Sequence, residues 1–219
     1  MQTMFKGAIS FGLVNIPIKM FTATEDKDVR FRSLHKKCHT PIKYKKTCPL
    51  CNEEVAPADI VKGFEYEPGK FVIITGEDID SIQTEKQART IEIVDFVRLE
   101  EIDPIYFDRT YYLSPQPEVS ASAKAYSLLR DAMNESGRIA VARVTIRDKQ
   151  TLCVLRVYGG AMVLETIYYP DEIRPVSEIP ALPGELKADA REMDIAKQLI
   201  DNLTAKFDAS KYKDEYREA

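Results

Sequence analysis

This sequence predicts a mainly β fold with α (class α+β), built around an antiparallel, partly closed β-barrel. Three observations carry the prediction. Stretches rich in Val, Ile, Thr and aromatic residues recur along the first ~170 positions, mostly without a helical period. The last three, "RIAVARVTI" (138–146), "TLCVLRVY" (151–158) and "AMVLETIYY" (161–169), are joined only by "RDKQ" and "GG", the spacing of an antiparallel meander. So many consecutive strands must hide their edges, and closing the sheet does this.

Taken in order, "GAISFGLVNIPIKMFTAT" (7–24) reads as one or two strands kinked at Pro17. "DVRFRSL" (28–34) alternates like a strand, and so does "IKYKK" (42–46), which sets Lys43 and Lys45 on one face against Ile42 and Tyr44. "FVIIT" (71–75) is a short apolar strand, after which Thr75 and Asp78 form a Thr-x-x-Asp cap for a short helix through Ile82. "TIEIVDFVRL" (90–99) begins with Ile91 and Ile93 opposite Glu92, and "YYL" (111–113) stops at Ser114-Pro115. A clear helix follows: Ala125, Leu128, Leu129, Ala132 and Met133 repeat at helical spacing, with Gly137 where a C-cap belongs.

The passage Pro170 to Pro183 is rich in proline and separates the β region from a helical tail. We therefore expect one domain over 1–183 and a helical C-terminal arm over 184–219, broken near Asp208. The arm carries Leu186, Met193, Ile195, Ala196, Leu199, Ile200, Leu203 and Phe207, an amphipathic set suited to packing on the barrel or on a partner.

Charge is unevenly spread. The net charge of −4 argues by itself against a nucleic-acid partner. Yet Val29 to Asn52 holds Arg30, Arg32, Lys36, Lys37, Lys43, Lys45 and Lys46 and no acid, so a segment of +7 sits in an otherwise acidic chain. Such a local field can attract phosphate, because screening makes the near charges matter most. A second basic face lies on the strand 138–147, where alternation puts Arg143, Thr145 and Arg147 together, with Lys149 just beyond. No apolar run reaches ~18 residues, and the N-terminus lacks the pattern of a signal peptide. No membrane contact and a cytoplasmic location are expected.

The same basic segment holds "HKKCHTPIKYKKTCPLC" (35–51), with both histidines and three of the four cysteines. Cys48-Pro-Leu-Cys51 is a C-x2-C turn whose two thiolates suit one tetrahedral Zn2+. His35-x2-Cys38 supplies a second pair, with His39 as the alternative ligand. Four protein ligands would close the coordination sphere, so the zinc is expected to be structural. Cys153 lies amid Leu152, Val154 and Leu155 and reads as core. No phosphate-binding loop, dinucleotide fingerprint or nucleophile elbow is present, and the histidines belong to the metal pattern, so nothing calls for an enzyme. On the metal pattern alone, a zinc-ribbon adaptor for protein interaction or transcription is the competing reading.

"FKGAISFGLVNIPIKMF" (5–21), "IVKGFEYEPGKFVIIT" (60–75), "EIDPIYFDRTYYLSP" (101–115), "AYSLLRDAM" (125–133), "YYPDEIRP" (168–175) and "FDASKYKDEYREA" (207–219) together resemble the prokaryotic Ku family. The resemblance runs nearly end to end, with "SFGLVNIP" its most specific motif. Phe5 stands where the family commonly has Trp. The resemblance implies a Ku-core-like barrel, a bridge-forming insertion that includes the cysteine-bearing hairpin, and a homodimeric ring. It also implies threading onto double-stranded DNA ends, recruitment of a multifunctional ATP-dependent DNA ligase in non-homologous end joining, and a place at the nucleoid. By analogy Lys36, Lys37, Lys43, Lys45 and Lys46 face DNA on the bridge side, and Arg143, Arg147 and Lys149 on the barrel side. Family members continue past "YREA" into more helix and a Lys-rich tail, so the arm reads as truncated.

Overall fold

The computed structural model describes residues 1–83, 89–146, 149–184 and 189–218. These form two compact units, residues 1–26 with 32–173 and residues 27–31 with 174–219.

In the larger unit the alternation seen in the sequence becomes a barrel wall. β1 (Phe5–Phe11) and β2 (Val14–Thr22) form a hairpin that turns at Gly12, where φ is +57°. β5 (Thr90–Val97), β6 (Phe107–Pro115), β7 (Ile139–Ile146), β8 (Lys149–Tyr158) and β9 (Ala161–Ile167) complete it. Among the described residues the strand order is β1-β2-β6-β9-β8-β7-β5, and the ring closes. Closure is full rather than partial, and it uses one parallel seam, β1 on β5, in an otherwise antiparallel sheet. Glycine is required at that seam: a Cβ on Gly7 would sit inside contact distance of the Arg89 carbonyl and the Phe5 ring. The β8–β9 turn is Gly159-Gly160, with φ of +55° and +81°, the positive pair that a two-residue hairpin loop favours.

Pro17 does not kink its strand. The carbonyl and nitrogen of one residue point to the same side, and the Pro17 carbonyl accepts from Gln116 N (3.0 Å) and Ser122 Oγ. That side lies just past the last β2–β6 pair, Ile18 with Pro115, so the missing N–H is not needed by the ladder.

Ile9, Ile16, Ile18, Met20, Ile91, Leu113, Leu155, Met162 and Leu164 fill the interior, each at most 2% exposed. α2 (Ser120–Ser136) adds Tyr126 and Met133 to this cluster and ends at Gly137 in the left-handed conformation, as its spacing predicts. Leu128 belongs to the other side of the helix and is exposed. The Tyr126 hydroxyl donates to the Leu113 carbonyl and accepts from Met162 N, both at 2.7 Å, so the helix is clipped to two strands by one buried group. Cys153 is buried in the core, where desolvation pushes its thiol well above the usual range.

Two expected strands do not form. Residues 24–33 pair with no strand, and residues 42–46 lie between isolated bridges at Leu34–Pro41 and Thr47–Glu54. Their apolar sides, Val29 with Phe31 and Ile42 with Tyr44, stay exposed, and tight turns take up the backbone on either side of 42–46. One strand pairing was missed, β3 (Lys62–Glu67) with β4 (Lys70–Ile74), turning at Pro68-Gly69. α1 (Gly76–Gln83) follows, and Thr75 and Asp78 cap it reciprocally.

In the smaller unit, α3 (Ala190–Leu203) starts at Asp189, whose carboxylate accepts from Arg191 N, and none of its residues is buried. The helix stops four residues before Phe207. α4 (Glu215–Glu218) is a single turn, and Phe207 stacks on Tyr212 at 5.7 Å.

Candidate nucleic-acid interface

The insertion between β2 and β3 contains the same turn twice. In the first, His35 N donates to Thr40 O (2.9 Å) and His39 N to His35 O (2.8 Å), His39 is left-handed (φ +52°), and Leu34 bridges Pro41. In the second, Cys48 N donates to Glu53 O (2.9 Å) and Asn52 N to Cys48 O (2.8 Å), Asn52 is left-handed (φ +55°), and Thr47 bridges Glu54. Every element recurs thirteen positions on. The repeat matches His35 with Cys48 and Cys38 with Cys51, and it matches His39 with Asn52, a position filled for its backbone conformation.

Within each turn the two donor side chains meet. His35 Nδ1 lies 3.1 Å from Cys38 Sγ. The Cys38 thiol is lowered to about 7, by the Thr40 hydroxyl first and then the His35 imidazole. Cys48 is lowered by the backbone amides of Cys51 and Leu50 and then by the Cys51 side chain. All three thiols are free, with Cys38 and Cys51 exposed. Among the described residues no group of three or more His, Cys, Asp or Glu converges closely enough to hold a metal. The structure therefore forms two half-sites and does not bring them together.

The lysines divide into two sets. Lys36 and Lys37 are the exposed tip of the first turn, while Lys43 and Lys46 lie in the exposed link between the turns. No ion pair involves these four among the described residues. Lys45 donates to Glu54 at 2.6 Å, and Lys149, at the start of β8, pairs with Glu172 at 3.1 Å. The Tyr169 amide first, then Lys149, lowers the Glu172 carboxyl. Arg143 points away from the core between buried Ala142 and Val144, with Glu92 across the ladder. Arg147 lies outside the described residues.

Sequence reasoning passed over the β3–β4 hairpin as a surface. Phe64 and Val72 occupy one face, Phe71 and Ile73 the other, and Tyr66 sits at a bulge between Glu65 and Glu67, all at least 50% exposed. The signal was present in "GFEYEPGKFVII", a Pro-Gly turn flanked by apolar residues of both parities, whereas a hairpin with one solvated face shows only one parity. No helix among the described residues is long and apolar enough to cross a membrane.

Comparison with known proteins agrees with this architecture. The family described as the Ku70/Ku80 beta-barrel domain matches residues 10–197. A protein of Bacillus subtilis named non-homologous end joining protein Ku is 52% identical over the whole of this chain and 70% of its own length. Its namesake from Heliobacterium modesticaldum is 51% identical over 99% of this chain and 77% of its own length. That of Mycolicibacterium smegmatis is 39% identical over all of this chain and 68% of its own. A family match across most of the barrel, and identities of this size across the full chain, make this chain a member of the Ku β-barrel family.

Proposed function

We propose that this chain binds double-stranded DNA ends without regard to sequence, as a homodimeric ring, in repair by non-homologous end joining. The chain holds and protects the ends, and a multifunctional ATP-dependent DNA ligase that it recruits makes the bond. The observation that carries the ring is the β3–β4 hairpin. A lone two-stranded hairpin is marginal in water, and this one exposes aromatic and aliphatic side chains on both faces. A second copy of the hairpin would cover them. Lys36, Lys37, Lys43 and Lys46, in no ion pair among the described residues, and Arg143 on the barrel wall supply the sequence-neutral attraction to phosphate. Linear and covalently closed DNA of one sequence, set in competition, test the end requirement; equal affinity for both would remove it. Light scattering tests the dimer, and charged substitutions at Phe71 and Ile73 are expected to yield monomer.

We also infer that the two half-sites hold one structural Zn2+ through His35, Cys38, Cys48 and Cys51. Support comes from the donor chemistry and from the repeat, which matches His35 with Cys48 and Cys38 with Cys51, while His39 matches Asn52 in a left-handed backbone position. Bound zinc would brace the insertion; it has no part in bond-making here.

A further inference from the structure

The link between the two turns carries a feature that duplex binding does not use. Tyr44 is 91% exposed and makes no hydrogen bond or ring contact among the described residues. It stands between Lys43 and Lys45 in a run, Ile42 to Lys46, that belongs to no strand. Ile42 beside it is 51% exposed, and Leu50, at the tip of the second turn, is 90% exposed. A single exposed aromatic is ordinary. An exposed ring in a segment that has five lysines and no acid between His35 and Asn52 is a specific combination. Glu54 already neutralises Lys45 at 2.6 Å, which leaves Lys43 and Lys46 as the charges beside the ring.

Within a duplex the faces of paired bases are stacked on one another, so away from its terminal pair a duplex offers its backbone to lysine and nothing to a flat ring. An unpaired strand offers both a phosphate and a free base face. Alternating cations and aromatics are the arrangement that binds it, with stacking that every base can supply. We propose that the 42–46 link binds the unpaired overhang of a DNA end, with Tyr44 stacking on a base while Lys43 and Lys46 take the flanking phosphates. This rests on the end-binding reading and extends it from blunt duplex to the single strand that protrudes from it.

The chain has no tryptophan, so Tyr44→Trp places one reporter at this position alone. The dimeric variant is mixed with a fluorescein-labelled duplex blocked at one end by biotin–streptavidin. The other end is either blunt or carries ten unpaired thymidines. Anisotropy reads binding, and tryptophan emission reads stacking. We expect both DNAs to bind, strong quenching with the overhang, and little change with the blunt end. Tyr44→Ala should lose roughly tenfold in affinity for the overhang DNA and little for the blunt one, while Tyr44→Phe keeps both. Equal quenching by the two DNAs, or none by either, would overturn the proposal while leaving end binding intact. A blue-shifted tryptophan that acrylamide cannot reach in the free dimer would also overturn it, because the ring would then be covered by protein. Failure of both duplexes to bind would instead remove the end-binding reading, and the thymidine strand offered alone would still decide the stacking.

Discussion

Lys36 and Lys37 occupy a turn tip with no acid to pair with, and this makes their contribution to DNA binding measurable as a salt slope. Replacing both with alanine removes two cations per chain, hence four per ring. Each phosphate neutralised on duplex DNA contributes about 0.9 to the fall of log K with log salt. If every one of the four sits on a phosphate, the slope should become shallower by about 3.6. The control comes from Lys45 and Glu54, which lie 2.6 Å apart and whose joint replacement by alanine removes no net charge. That pair should leave the slope unchanged, because its lysine already faces a carboxylate. Anisotropy titrations on a blunt 30-bp duplex between 50 and 200 mM salt would read both variants, after light scattering has shown that each remains dimeric. An unchanged slope for Lys36→Ala/Lys37→Ala, or an equal loss for the Lys45/Glu54 double variant, would refute the assignment of the free lysines to DNA.

Other outcomes follow from the packing. Tyr126→Phe keeps the ring but leaves the buried Leu113 carbonyl and Met162 amide without their shared partner, at a cost of about 2–3 kcal/mol in urea unfolding and roughly 5–10 °C in melting; a loss under about 0.5 kcal/mol would show that water takes the hydroxyl's place. Gly7→Ala forces the β1–β5 seam apart and should cost about 1–3 kcal/mol, whereas alanine at exposed Gly76, which has open space around its Cα, should do far less. Cys48→Ser should reduce zinc from one per chain toward none by elemental analysis and lower the melting temperature, while His39→Asn, which suits the left-handed backbone, should leave zinc bound and His35→Ala should not. Absence of zinc from protein purified without chelator would end that proposal.

Much of the barrel was legible because period-two burial is a local signal. The meander from Ile139 to Ile167, the cap at Thr75 and the stop at Gly137 all rest on residues close in sequence. Barrel closure was less legible: the β1–β5 seam joins Ala8 to Thr90, and nothing local announces a parallel pairing across so long a separation. The strands expected at 28–34 and 42–46 show alternation without burial, a pattern that exposed loops also produce. At the site, clustering of His and Cys and the run of lysines was plain in the sequence. Which lysines are already paired was not, since Glu54 and Glu172 reach Lys45 and Lys149 only through the fold. The repeat of the two turns is equally invisible in the letters, because His39 and Asn52 share a backbone conformation and not a side chain.

Encirclement of DNA is the central claim, and a trapping experiment tests it most directly. Dimeric protein is loaded onto a linear duplex, both ends are then blocked with streptavidin, and the salt is raised to 1 M, where phosphate contacts are screened out. A closed ring should stay on the blocked duplex through the wash and leave when a restriction enzyme cuts the DNA between the blocks. Release at 1 M salt with both ends still blocked would contradict the ring.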